Sequence, residues 1–107
     1  MDTRAKRAAQ NESLFRRINE RVEALSGDFD TLTLVCECAD AACVERLPGV
    51  RRDEYEAVRA QPDRFFVARG HEESEFEAVV EQRRDYLIVA KHGEAGDVAI
   101  DEDPRSG

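Results

Sequence analysis

An α+β domain, with an N-terminal amphipathic helix packed on a small, mostly antiparallel sheet, is what three features of this sequence predict. Leu14, Ile18, Val22 and Leu25 recur at the spacing of one helical face. The stretches 31–37, 64–70 and 86–91 are rich in β-branched and aromatic residues and are bounded by turn formers or charge. All three cysteines, Cys36, Cys38 and Cys43, crowd into "VCECADAACVERL", residues 35–47. Thiols this close in a short chain call for a chemical reason.

The helix is expected from Asn11, whose side-chain oxygen can accept a first-turn amide, to Leu25. Gly27 lies just beyond, where the left-handed conformation ends helices. Residues 1–10 read as frayed or loosely helical. "TLTLVCE", 31–37, alternates as a strand, with Leu32 and Leu34 on one face, and it delivers Cys36 and Cys38 to a common side. "ADAA", 39–42, is the turn, and "CVERL", 43–47, starts a returning strand before Pro48-Gly49. A helix over 51–61 places Tyr55 and Val58 one turn apart and stops near Pro62, because the residue before proline is pushed toward extended geometry. "RFFVARG", 64–70, is a strand ended by Gly70, with His71 next. For "EFEAVVEQRRDYLIVAKH" a helix and a hairpin both fit the first half, and the hairpin turning at "QRRD" is preferred. The chain is read as one domain over 1–107, with 1–10 and 98–107 as mobile tails.

Composition narrows the function classes. No apolar run approaches the roughly 18–20 residues of a membrane helix, and "MDTRAKRAAQ" lacks the apolar stretch of a signal peptide. A cytoplasmic, reducing setting is therefore expected, in which clustered cysteines read as metal ligands or redox groups rather than structural disulfides. The net charge of −8 argues against nonspecific nucleic-acid binding. The charge is uneven, however. Arg4, Lys6, Arg7, Arg16, Arg17 and Arg21 outnumber Asp2, Glu12 and Glu20 in the first 21 residues. A basic helix on an acidic body is either a solvated face or a contact surface for a protein, with nucleic acid conceivable only there.

The cysteines follow Cys-x-Cys-x4-Cys. Zinc takes four tetrahedral ligands drawn from thiolates and imidazoles, and a compact turn supplies several of them with little loop entropy. Ala39, Asp40, Ala41 and Ala42 are small or polar enough to wrap an ion. The fourth ligand of a single structural Zn2+ is expected to be His71, with His92 the other histidine and Asp40 or water the remaining options. A redox switch and inert buried thiols are the competing readings of the trio. A Cys-x-Cys disulfide would be strained. The flanking Glu37, Asp40 and Glu45 are expected to hold the free thiols' pKa values up.

The eight residues from Cys36 to Cys43 resemble the zinc knuckle that follows SET methyltransferase domains. Neither the Asn-His motif nor the cofactor region of those enzymes is present, so no activity is implied. "FRRINERVEAL", "VCECADAACVERL", "DEYEAVRAQPDRFFVARGHE" and "YLIVAKHGEAGDVA" together resemble a family of small actinobacterial proteins of unassigned function. That resemblance implies Cys36, Cys38, Cys43 and His71 as one motif and supplies no activity.

No phosphate loop, dinucleotide fingerprint or deaminase signature occurs; His71-Glu72-Glu73 follows the cysteines and no Cys-x-x-Cys exists. The leading expectation is a noncatalytic, zinc-stabilised interaction or regulatory module that binds another macromolecule. The alternatives are a thiol redox or metal-responsive sensor and a small metal-dependent enzyme.

Overall fold

The computed structural model describes residues 3–105, and the fold is α+β. α1 (Thr3–Leu25) leads into β1 (Thr31–Val35), β2 (Arg46–Arg51), α2 (Arg52–Arg59), β3 (Arg64–Ala68), β4 (Glu77–Gln82), β5 (Tyr86–Lys91) and α3 (Gly93–Asp101). All strand pairs are antiparallel, but they form two sheets rather than one: β1-β2, and β3-β5-β4. The two sheets meet where the Glu37 amide, just past β1, donates to the Phe66 carbonyl of β3 at 2.7 Å. No helix among the described residues is long and apolar enough to cross a membrane.

β3 and β5 are buried on both faces, which is why "RFFVA" and "YLIVAK" read as near-continuous apolar runs. Phe66 and Ile88 face a core of Leu32, Leu34, Leu47, Val50 and Tyr55. Phe65, Val67, Leu87 and Val89 face the opposite way, toward Cys36, Cys38 and Ala99. Tyr55 of α2 stacks on Phe66 with ring centroids 5.7 Å apart. The hairpin reading of 76–92 holds, with β4 and β5 joined through 83–85.

Several expectations change. Residues 3–10 are not a loose lead-in but the first turns of α1, with Ala5, Ala8 and Ala9 buried. Residues 98–101 complete α3, whose Ala95 and Ala99 are buried; 1–2 and 106–107 lie outside the described residues. Asn11 is therefore mid-helix rather than a cap, and its amide nitrogen donates to the Ala39 carbonyl at 2.9 Å. Gly27 does follow the helix with a positive φ of 59°. The returning strand β2 begins later than expected and runs through Pro48-Gly49. Proline is tolerated there because β2 pairs on one side only and its other edge needs no donor.

The largest correction concerns the face of α1. Leu14 and Ile18 are 49% and 39% exposed, and Leu25 more so. The helix instead buries Ala5, Ala8, Ala9, Glu12, Ser13, Arg16 and Asn19. The alanines allow close approach, and three of the polar side chains find partners in the body. Arg16 donates to the carbonyls of Pro62 (2.7 Å) and Ala99 (2.8 Å) and lies over the Phe65 ring. Asn19 clips β1 at both polar groups of Val35, each at 2.8 Å. Glu12 meets Lys91. Of the predicted stripe Val22 does pack against the core, but a buried polar group with partners costs little, so apolar periodicity alone misplaced most of the buried face.

Candidate metal centre

β1 ends at Val35, and the extended chain beyond it sets Cys36 and Cys38 on one side. Glu37, between them, points the other way and is fully buried. Its Oε1 accepts from Arg59 Nη2 (2.8 Å) and the Phe66 amide (2.9 Å); its Oε2 accepts from Arg59 Nη1 (2.9 Å) and Asn19 Nδ2 (2.7 Å). This carboxylate bolts the Cys-x-Cys segment to α1, α2 and β3 together. Sequence reasoning missed Glu37, Arg59 and Asn19. The one available signal was strand alternation, which sends the residue between two same-side cysteines into the body.

The turn is built by Asp40. Its Oδ1 accepts the Ala42 amide at 2.9 Å and its carbonyl accepts the Cys43 amide at 3.0 Å. The Cys36 amide donates to the Glu45 carbonyl at 3.1 Å, which closes the loop across its base. Asp40 is thus occupied in shaping the turn, and the cluster of potential ligands does not include it.

His71 arrives from the second sheet. Gly70 takes a φ of +87°, a conformation that side chains other than glycine rarely adopt, and the His71 amide donates to the Ala68 carbonyl at 3.0 Å. That reversal at the end of β3 turns the imidazole onto the sulfurs. Its Nδ1 lies 3.5 Å from Cys43 Sγ and 3.7 Å from Cys36 Sγ. One donor atom from each of Cys36, Cys38, Cys43 and His71 falls within 4.8 Å of the others, a geometry that could hold a metal ion. The Ala68 amide adds a hydrogen bond to Cys36 Sγ at 3.1 Å. His92 is elsewhere, at the exposed N-terminus of α3.

The thiols titrate as a set. Cys38 is drawn down to about 5, first by the hydrogen bond from Cys36, with His71 and the Asp40 backbone assisting against burial. Cys36 is pushed up, first as the proton donor to Cys38 and then by burial. Cys43 is raised by burial foremost. The expectation that neighbouring carboxylates would hold all three up fails at Cys38. Glu37 faces away and is neutralised by Arg59, and the sulfurs act on one another more strongly.

Beside the cluster lies an open depression of about 430 Å³ lined by Cys38, Ala39, Asp40, His71 and Glu73. The neighbouring acid Glu72 is turned back on the loop, where its Oε1 accepts the Gly70 amide at 2.9 Å. Cys36 and Cys38 are 1% and 2% exposed, whereas Cys43 and His71 are half-buried. No protein-family model, curated protein or solved structure matches this chain.

Proposed function

We propose that this chain is a noncatalytic module stabilised by one Zn2+ on Cys36, Cys38, Cys43 and His71, and that it binds another protein. The convergence of three thiols and one imidazole within 4.8 Å carries the reading. Zinc–sulfur bonds of about 2.3 Å and a zinc–nitrogen bond of about 2.0–2.1 Å at a tetrahedral angle separate sulfur from nitrogen by about 3.5 Å. The distances of 3.5 and 3.7 Å from His71 Nδ1 match that edge. Three thiolates and an imidazole complete the shell and leave no position for a reacting water, which favours a structural ion over a catalytic one. The ligands come from the β1 end and from the loop after β3, so the ion staples the two sheets at their junction. For a domain of 107 residues with a modest core, such a tie supplements burial.

The partner surface in this reading is the outward face of α1, where Leu14, Ile18 and Leu25 stand among Arg7, Arg17 and Arg21. Exposed leucine and isoleucine favour a protein with acidic and apolar character over a nucleic acid, and burial removes Arg16 from the basic patch. A reducing, cytoplasmic setting is part of the proposal, because the ligands must remain thiols.

Zinc per chain, measured on protein purified without added metal, tests the first half. One equivalent is expected, with loss of metal and of melting temperature in Cys38→Ser and His71→Ala; an unchanged melting temperature in chelator would overturn the staple. The second half is tested by co-purification from the native cell. A protein retained by the wild type and lost with Leu14→Ser/Ile18→Ser is expected; equal retention would move the contact elsewhere.

A further inference from the structure

The four ligands are not equally protected. Cys36 and Cys38 are buried, and Cys36 is held further by the Ala68 amide on its sulfur and by its own amide on Glu45. Cys43 is half-buried and lies at the end of a turn whose Asp40, Ala41 and Ala42 are exposed. An oxidant from solution therefore meets Cys43 first. The sulfurs of both Cys36 and Cys38 lie within 4.8 Å of Cys43, but Cys38 flanks the same exposed turn, and so it is the one that follows. Forming a disulfide from that separation asks only the exposed turn to adjust. Cys36 is the less free to move, tied at its sulfur by the Ala68 amide and at its own amide by the Glu45 carbonyl.

We infer that Cys43 is the site of a reversible two-electron oxidation by hydroperoxides, resolved by Cys38, which ejects the metal. This rests on the zinc reading above and assigns that site its regulation. In the first step the Cys43 thiolate attacks a peroxide oxygen. A sulfur–oxygen bond forms and the oxygen–oxygen bond breaks, and hydroxide, or for an organic hydroperoxide the alkoxide, leaves and takes a proton as water or alcohol. Cys43 is now a sulfenic acid and the peroxide has been reduced. In the second step the Cys38 thiolate attacks the Cys43 sulfur, the sulfur–sulfur bond forms and hydroxide leaves again. The ion keeps only Cys36 and His71 and dissociates. A dithiol reverses the change by reducing the disulfide, after which zinc rebinds.

Zinc-loaded full-length chain is treated with hydrogen peroxide while a chromogenic chelator reports free metal. The products are mapped by mass spectrometry of unreduced peptides. One zinc released per Cys38–Cys43 disulfide is expected, with recovery on adding dithiothreitol and zinc. Cys43→His keeps four ligands and is expected to lose zinc at least about tenfold more slowly, because its exposed ligand no longer offers a thiolate. Should that variant fail to fold, the peptide map of the wild type decides alone. Zinc retained under peroxide, a Cys36–Cys38 linkage, or equally fast release from Cys43→His would each overturn the inference. A chain that binds no zinc before peroxide is added fails at the metal reading itself, and the oxidation proposal falls with it.

Discussion

Two clusters of buried charge lie against the inner face of α1, and they are built on opposite terms. Near the knuckle, Glu37 meets Arg59 in a two-bonded pair, and Asn19 and the Phe66 amide fill the remaining acceptor positions. Each Glu37 oxygen accepts two hydrogen bonds and the charges of the pair cancel. Arg59 Nε alone of the pair's polar side-chain atoms is left without a hydrogen bond among the described residues. At the other end, Lys91 Nζ contacts both Glu12 and Glu77, so two carboxylates share one cation. Neither Glu12 oxygen has a well-formed hydrogen bond among the described residues. The mismatch is settled by a proton. Burial pushes the Glu12 carboxyl up to about 9, with Lys91 pulling it down and Glu77 pushing it further up. A matched cluster fixes position, as Glu37 does for the Cys-x-Cys segment; a mismatched one makes stability depend on pH.

The matched cluster should suffer more when broken. Arg59→Met leaves Glu37 buried at 0% exposure without its cation, and stability in urea is expected to fall by about 3–5 kcal/mol. The same variant tests whether Glu37 positions the ligands. A loss of roughly 10–100-fold in zinc affinity is expected, the usual effect of removing a group that orients a metal ligand. Full affinity in a destabilised Arg59→Met would separate the charge cluster from the metal centre.

Lys91→Met breaks the other cluster at its centre. Glu12 and Glu77 are left facing each other, but two carboxyls can share a proton, whereas Glu37 without Arg59 is a lone buried carboxylate with only Asn19 and the Phe66 amide beside it. The expected cost at pH 7 is smaller, about 2–3 kcal/mol, and grows as pH rises. Urea midpoints of the two variants side by side check the order; a cost for Lys91→Met equal to or above that for Arg59→Met at pH 7 would mean the clusters are alike.

The same contrast explains what the sequence made legible. The strands were readable because Phe65, Phe66, Val67, Leu87, Ile88 and Val89 leave one physical option, burial on both faces of a sheet. The candidate ligand cluster was readable because sulfur and imidazole are rare here and the three cysteines are closely spaced. The inner face of α1 was not. Glu12, Ser13, Arg16 and Asn19 look like a solvated stripe until Lys91, Pro62, Val35 and Ala99 are brought against them, and those residues lie up to 83 positions away. Glu37 was legible only in part. Alternation turns it inward, but nothing local announces that Arg59, 22 residues on, will meet it.

Glu12→Gln removes the least, a single titratable proton, and has the most diagnostic pH dependence. The Glu12 carboxyl titrates near 4.5 in an ordinary setting and near 9 in the fold. Between those values the native state holds a proton that the unfolded chain has released. Unfolding then releases protons, so stability falls as pH rises through this window, by at most about 1.4 kcal/mol per pH unit. Glutamine keeps the shape and the donor but cannot titrate. Near pH 4, where the carboxyl is mostly neutral in both states, the variant is expected within about 1 kcal/mol of wild type. By pH 7 the wild type has lost up to about 3 kcal/mol that the variant keeps, so Glu12→Gln is expected to be the more stable there. Between pH 5 and 8 the wild type should lose stability steadily while Glu12→Gln loses distinctly less. Chemical denaturation across that range checks it, and parallel profiles would mean the shared proton is not on Glu12.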